Sequence, residues 1–211
     1  MTQVNNNDST VTRNRYQRIS PFYDLMEILP ERRYISWRER LWSLVRGPEV
    51  LEVGVGTGKN LAFYPKDLQV TGVDLTPGML ARARKRSATL NKDVTLQLGD
   101  VQNLKFPDSS FDTVVATFVF CSVSNPVLGL REIGRVIKPD GQIILMEHVR
   151  STKPGIGELM DVLNPAVVRV TGANINRRTV ENIQLAGLDI ERVEDLGMGD
   201  VFKLIIAHRQ N

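Results

Sequence analysis

"VLEVGVGTGKNLAFY", residues 50–64, sets Gly54, Gly56 and Gly58 behind a short apolar run and ahead of a helix-like stretch. Closely spaced glycines after a strand let backbone approach a ligand, and amides at the start of the following helix can donate to it. Outward from this loop the chain alternates. Short β-branched runs read "EVLEVG", "LQVTGVDL", "DVTLQLGD", "FDTVVATFV" and "GQIILMEHV". Helical stretches lie between them: "GKNLAFY", "TPGMLARARKRSATL" and "NPVLGLREIGRVI", the last closed by "KPDG". That alternation predicts an α/β fold, a mostly parallel sheet covered on both faces by helices. The final runs, "LDIERVEDL" and "VFKLIIAHR", are joined only by "GMGD", too short for a crossover, so they predict an antiparallel hairpin at one sheet edge.

Composition narrows the function classes. A chain of 211 residues with 42% hydrophobic content suits one domain with a substantial core. No run is long and apolar enough to span a bilayer. The polar, Asn-rich start predicts a disordered segment over residues 1–12, no signal peptide and a cytoplasmic protein. A single cysteine, Cys121, and two histidines, His148 and His208, leave no internal disulfide and no metal cluster. The net charge of +3 is modest, and no basic–aromatic stripe points to nucleic acid. Residues 13–46 read as an N-terminal helical lid, with Ser20 a plausible N-cap before Pro21 in "SPFYDLMEIL" and Trp37, Leu41 and Leu44 or Val45 on one face further on. Residues 13–211 form a single domain.

Ligands of open α/β sheets lie outside the carboxyl ends of the strands, where the loop of Gly54 and Gly56 falls. A dinucleotide wants G-x-G-x-x-G; here the spacing is G-x-G-x-G, and Lys59 takes the third slot. Glu52, just ahead of the loop, suits a cation better than a pyrophosphate. The second strand ends in Asp74, eighteen residues beyond Gly56, where a carboxylate accepts ribose hydroxyls. Leu75 and Met79 can sandwich a purine, and Asp100 at the third strand's end can accept from an exocyclic amine. The set describes an adenosine with a cationic tail: S-adenosylmethionine. A non-catalytic nucleotide-binding module or a dinucleotide-binding reductase is the rival of another class.

Four stretches in order, "VLEVGVGTG", "VTGVDLTPGML", "LQLGDVQNLKFPDSSFDTVVATFVF" and "REIGRVIKPDGQIILMEH", resemble the successive motifs of class I S-adenosylmethionine-dependent methyltransferases. The resemblance implies a Rossmann-like seven-stranded sheet with an antiparallel last strand. It implies that Glu52 and the backbone of Gly54 and Gly56 hold the methionine end, Asp74 the ribose, and Asp100 with Val101 the adenine. Thr117 and Phe118 then face the sulfonium. "RYQRISPFYDLMEIL" resembles the first helix of quinone C-methyltransferases and bacterial phosphatidylethanolamine N-methyltransferases, in which Tyr16 and Tyr23 would close over cofactor and acceptor. "EHVRS" and "TGANINRRTVENI" resemble the alkyl-thiol methyltransferases of animals.

His148, in "LMEHVRS" at the end of the fifth strand, is the candidate base, with Glu147 the neighbour that alternation turns to the opposite face. Cys121 reads as a small core residue. The insert over residues 150–182 carries Ile156, Leu159, Met160, Leu163, Val167 and Val170 at helical spacing, with Pro165 expected to bend or break the run. An apolar insert overhanging the active-site edge favours an acyl or isoprenyl acceptor, and Arg177 and Arg178 are candidates to meet a phosphate on it. A quinone-type "N-D-x-x-S-Y" stretch is missing there, which ranks a phospholipid amine first, ahead of a quinone, a thiol or another small metabolite. Arg13, Arg15 and Arg18 suit peripheral contact with an anionic membrane.

Overall fold

The computed structural model describes residues 6–21, 23–26, 28–197 and 199–210. Three helices open the chain: α1 (Asn6–Ile19), α2 (Tyr23–Met26) and α3 (Ile28–Trp42). Then follow β1 (Glu49–Val53), a 3-10 turn (Lys59–Phe63), β2 (Gln69–Asp74), α4 (Pro77–Leu90), β3 (Thr95–Leu98) and β4 (Phe111–Thr117). The chain continues through α5 (Pro126–Val136), β5 (Ile137–His148), α6 (Ile156–Thr171) and α7 (Thr179–Leu185), and ends in β6 (Leu188–Gly197) and β7 (Phe202–Arg209).

The seven strands form one sheet in the order β3-β2-β1-β4-β5-β7-β6. β1 through β5 pair in parallel, and β7 runs antiparallel between β5 and β6. The expected hairpin is there, with its returning strand inside the edge. Alternation along the central strands splits the core in two. Leu51, Val53, Val114, Ala116, Ile143 and Leu145 pack with α5 and α7 on one face. Val50, Val115, Ile144 and Met146 pack with Leu41 and Trp42 of α3 on the other. Strands buried on both faces read as unbroken apolar runs, which is why they were legible.

Local chemistry explains the helix ends. Asn125 accepts from the Leu128 amide and Pro126 follows at the first helical position, so α5 starts there. α4 begins with Pro77 and closes on Asn91 in the left-handed conformation.

Four expectations need correction. A helix enters the segment expected to be disordered: residues 1–5 lie outside the described residues, and α1 begins at Asn6, anchored where Ser9 Oγ accepts from Gln102 Nε2 at 2.7 Å and Thr12 Oγ1 donates to the Ser122 carbonyl. Ser20 does not cap forward; its hydroxyl turns back to the Gln17 carbonyl at 3.0 Å. Phe22 and Glu27 of the stretch after it lie outside the described residues. "KPDG" is not a helix-closing loop, because β5 already begins at Ile137, with a register shift against β4 between Phe111 and Thr113. And α6 runs through Pro165; the neighbouring Asn164 side chain braces it by donating to Asn174 Oδ1 and accepting from the Ile175 amide.

Candidate active site

The winding of the sheet reverses between β1 and β4, and a cleft of about 790 Å³ opens at their carboxyl ends. Successive strand tips supply its walls: Gly54 and Gly56 after β1, Asp74 and Leu75 at β2, Asp100 and Val101 after β3, Thr117 and Phe118 at β4. Met79 of α4 completes this side, and Tyr16 and Tyr23 close the other, their ring centroids 6.3 Å apart.

The glycine loop is forced by its conformation and its neighbours. Gly54 has φ +66°, and a Cβ there would come within 2.4 Å of Val119 Cγ2. At Gly56, φ +57°, an added Cβ would meet nothing closer than the Gly54 carbonyl at 3.9 Å, so the room beside it belongs to the cleft it lines. Asp74 holds this loop in shape. Its Oδ2 accepts from the Gly56 amide at 2.9 Å and its Oδ1 from the Thr76 amide at 2.8 Å. Burial raises its pKa against those hydrogen bonds. The Thr76 side chain hydrogen-bonds to it as well.

Asp100 lines the cleft while capping its own turn, Oδ1 accepting from the Gln102 amide at 2.9 Å. The β4 tip is strained: Phe118 sits at φ +56°, unusual for a large side chain. Glu147 holds it there, one carboxylate oxygen accepting from both Val119 N and Phe120 N at 2.9 and 3.1 Å. Burial pushes Glu147 up to about 7.

Four candidates fall outside the lining. Glu52, expected at the methionine end, lies on the α3 face with Val50, because alternation along β1 turns it there. It is buried, accepting from Asn60 Nδ2 at 2.8 Å and from the Tyr64 hydroxyl, and burial raises it to about 7. Asn60 connects it to the cleft, since the same amide donates to Thr117 Oγ1 at 3.0 Å and accepts from Arg38 at 2.6 Å. His148 lies in an aromatic group, its ring edge-on to Phe202 at 5.3 Å, and Phe202 meets Phe118 at 6.0 Å. Burial lowers its pKa. Glu147 and His148 do face opposite ways, and neither lines the cleft.

Arg177 turns inward instead of toward a phosphate: its Nη2 donates to the Cys121 and Val123 carbonyls at 3.3 and 3.0 Å, bracing the loop after β4. Arg178 pairs with Glu181 at the surface. No residue of 150–182 lines the cleft, although Asn174 reaches its rim by donating to the Cys121 carbonyl.

Ser9, Thr12, Gln102, Ser122, Val123 and Ser124 line the cleft unforeseen. Ser9, Thr12 and Tyr16 follow helical spacing, a polar face that the Asn-rich composition hid. Among the described residues no group of histidine, cysteine or carboxylate side chains could hold a metal.

The family model described as "Methyltransferase domain" matches residues 51–145. A phosphatidylethanolamine N-methyltransferase of Cereibacter sphaeroides is 40% identical over 110 residues, 51% of this chain and 54% of the relative. A thiol S-methyltransferase of Rattus norvegicus is 36% identical over 143 residues, 65% of this chain and 58% of the relative. The chain thus spans little more than half the length of these curated relatives. A solved S-adenosylmethionine-dependent methyltransferase of Thermotoga maritima shares the fold at TM-score 0.72 with 21% identity, over 93% of this chain and 99% of that one. Residues 51–145 thus match a methyltransferase domain, on a fold that a solved S-adenosylmethionine-dependent methyltransferase shares.

Proposed function

We propose that the protein transfers a methyl group from S-adenosylmethionine to a small or lipid-like acceptor, a phospholipid amine being the first choice. One observation carries the reading. Successive strand tips bring Gly54, Gly56, Asp74 and Asp100 to one cleft that Tyr16 and Tyr23 close.

The residues fit the cofactor. Asp74, which lines the cleft, would accept from the ribose hydroxyls, and Asp100 and Val101 of the same cleft would meet the adenine. Leu75 and Met79 offer apolar flanks to its ring. Thr117 already accepts from Asn60, so its own proton is left to donate elsewhere. The bound cofactor supplies a methyl carbon activated by its sulfonium. The protein's share is alignment and exclusion of water, and orientation alone contributes about 7–11 kcal/mol in favourable model systems.

An ammonium or thiol acceptor must also lose a proton. Tyr23, which lines the cleft, and His148, in the aromatic group that Phe118 shares, are the two side chains proposed to handle it. Burial lowers the His148 pKa, so the ring is neutral at pH 7 and able to accept.

The phospholipid reading draws on the similarity to a phosphatidylethanolamine N-methyltransferase and on the exposed apolar insert. Thiol methylation is the second reading, favoured by the similarity to a thiol S-methyltransferase across a larger share of the chain. An isoprenoid quinone fits the apolar insert but lacks its sequence signature. A cytoplasmic location with peripheral contact to anionic lipid belongs to the first reading. No described helix is long and apolar enough to cross a membrane.

The test is incubation with methyl-labelled donor followed by separation of polar lipids, quinones and thiols. Label in the aminophospholipid fraction supports the first reading and label in thiols the second. Label only in protein or RNA overturns both.

A further inference from the structure

We propose that the outward face of α6 is a docking surface for an anionic lipid bilayer, laid down so that the membrane meets the rim of the cleft. The proposal rests on the lipid-acceptor reading but names a surface which that reading does not assign.

α6 is built inside out for a surface helix. Its inward side is slight: Gly157 and Met160 are buried and Asn164, Val167 and Val168 half-buried. The opposite side should be polar in a helix that faces water. Instead it carries Leu159, Val162 and Val170, exposed by 57, 76 and 79%, with Ile156 and Leu163 on its shoulder. Five large aliphatic side chains on one arc form a continuous patch rather than scattered surface residues.

Charge identifies the occupant. The acidic residues of α6 are drawn to one flank by Arg150, which pairs with Asp161 at 2.8 Å and Glu158 at 4.0 Å. Arginines mark the other end. Arg169 is exposed in the last turn, and Arg15 of α1 lies against the C-cap, where a Cβ on Gly172 would meet its Cδ at 2.5 Å. Arg13 and Arg18 are exposed on the same helix α1. None of these four arginines enters an ion pair among the described residues. An apolar stripe bordered by free guanidinium groups matches the acyl boundary and anionic headgroups of a bilayer.

Position ties the surface to the site. Asn174, two residues beyond the α6 C-cap, donates to the Cys121 carbonyl, and Thr12 of α1 donates to the neighbouring Ser122 carbonyl on the cleft wall. A bilayer seated on α6 and the adjoining arginines therefore lies beside the cleft, and a lipid headgroup enters without leaving the interface.

The experiment is co-flotation with vesicles of phosphatidylcholine alone or mixed with phosphatidylglycerol, for the wild type, Leu159→Asp with Val162→Asp, and Arg15→Gln with Arg169→Gln. Wild type should float with the mixed vesicles and be released by salt. The aspartate pair should lower partition at least about tenfold, and each lost arginine about fivefold. Calorimetry with S-adenosylmethionine should give the same affinity in all three proteins, which separates lost docking from lost folding. Equal flotation of wild type and aspartate variant overturns the proposal. So does flotation indifferent to lipid charge, or a solution dimer that the aspartate pair dissociates. Docking without methyl transfer to lipid would leave the surface standing and remove the phospholipid acceptor; transfer to dispersed lipid without docking would do the reverse.

Discussion

The two ends of the cleft are built by different means. One side is made of strand tips, and its geometry is held by backbone amides bonded to buried carboxylates: Asp74 to Gly56 and Thr76, Glu147 to Val119 and Phe120. The other side is closed by helices α1 and α2, which meet the body through side-chain bonds such as Thr12 to Ser122 and Asp24 to Thr57 and Arg86. The first kind of site tolerates little change, because backbone cannot repack. The second is joined to the body by side chains, which can repack. A constant cofactor and a variable acceptor would divide in this way.

Gly54→Ala should have the largest effect. The left-handed φ and the 2.4 Å approach to Val119 together should cost about 2–4 kcal/mol. A urea titration should show the midpoint falling at unchanged slope, and added S-adenosylhomocysteine should no longer raise it. A stable, ligand-responsive variant would mean that the loop yields, and the contrast with the helical side would fade.

Asp74→Ala comes next. It removes the acceptors proposed for the ribose and frees the Gly56 amide, so cofactor affinity should fall about a hundredfold by calorimetry. An unchanged affinity would take Asp74 out of the site.

The buried carboxyls make a pH test. Glu52 and Glu147 stand at about 7 in the folded chain against an ordinary 4.5. Between those values the unfolded chain has lost protons that the folded chain keeps, so stability should decline as pH rises from about 4.5 toward 7. The decline is on the order of 1–3 kcal/mol per carboxyl. Denaturant melts of Glu52→Gln and Glu147→Gln across that window should each be flatter than wild type. Equal slopes would show that these groups titrate normally.

His148→Ala sharpens the division between the two ends. Turnover should drop about tenfold if the ring takes the acceptor's proton, while cofactor affinity should not move. An unaltered rate would leave His148 as packing for Phe202. Smallest of all should be Arg178→Ala, whose surface pair with Glu181 is worth roughly 0–1 kcal/mol. An acceptor KM raised tenfold would reinstate it as a phosphate ligand.

How much was legible follows the same division. The unbroken apolar strands, the G-x-G-x-G loop and the carboxylates at strand ends report their places locally, because a strand tip's place depends only on the strand that carries it. Glu52 misled because proximity in sequence to the loop is not orientation: one step along β1 turns a side chain to the other face. Ser9 and Gln102 were missed because they meet across 93 positions of sequence and neither has chemistry that marks it alone.

The amino-acid order by itself therefore determined the parallel sheet, its reversed strand and the sheet edge at which the cleft opens. Backbone conformation and side-chain period are short-range properties, and these features need nothing else. Tertiary structure alone decided that Asp74 shapes the glycine loop, that Glu147 steadies the tip of β4 and that Arg177 braces a wall instead of facing a ligand. It also decided that α6 turns its aliphatic side to the solvent. Each depends on which groups are left without partners after the chain has closed on itself, and burial and hydrogen bonding are counted over the whole molecule.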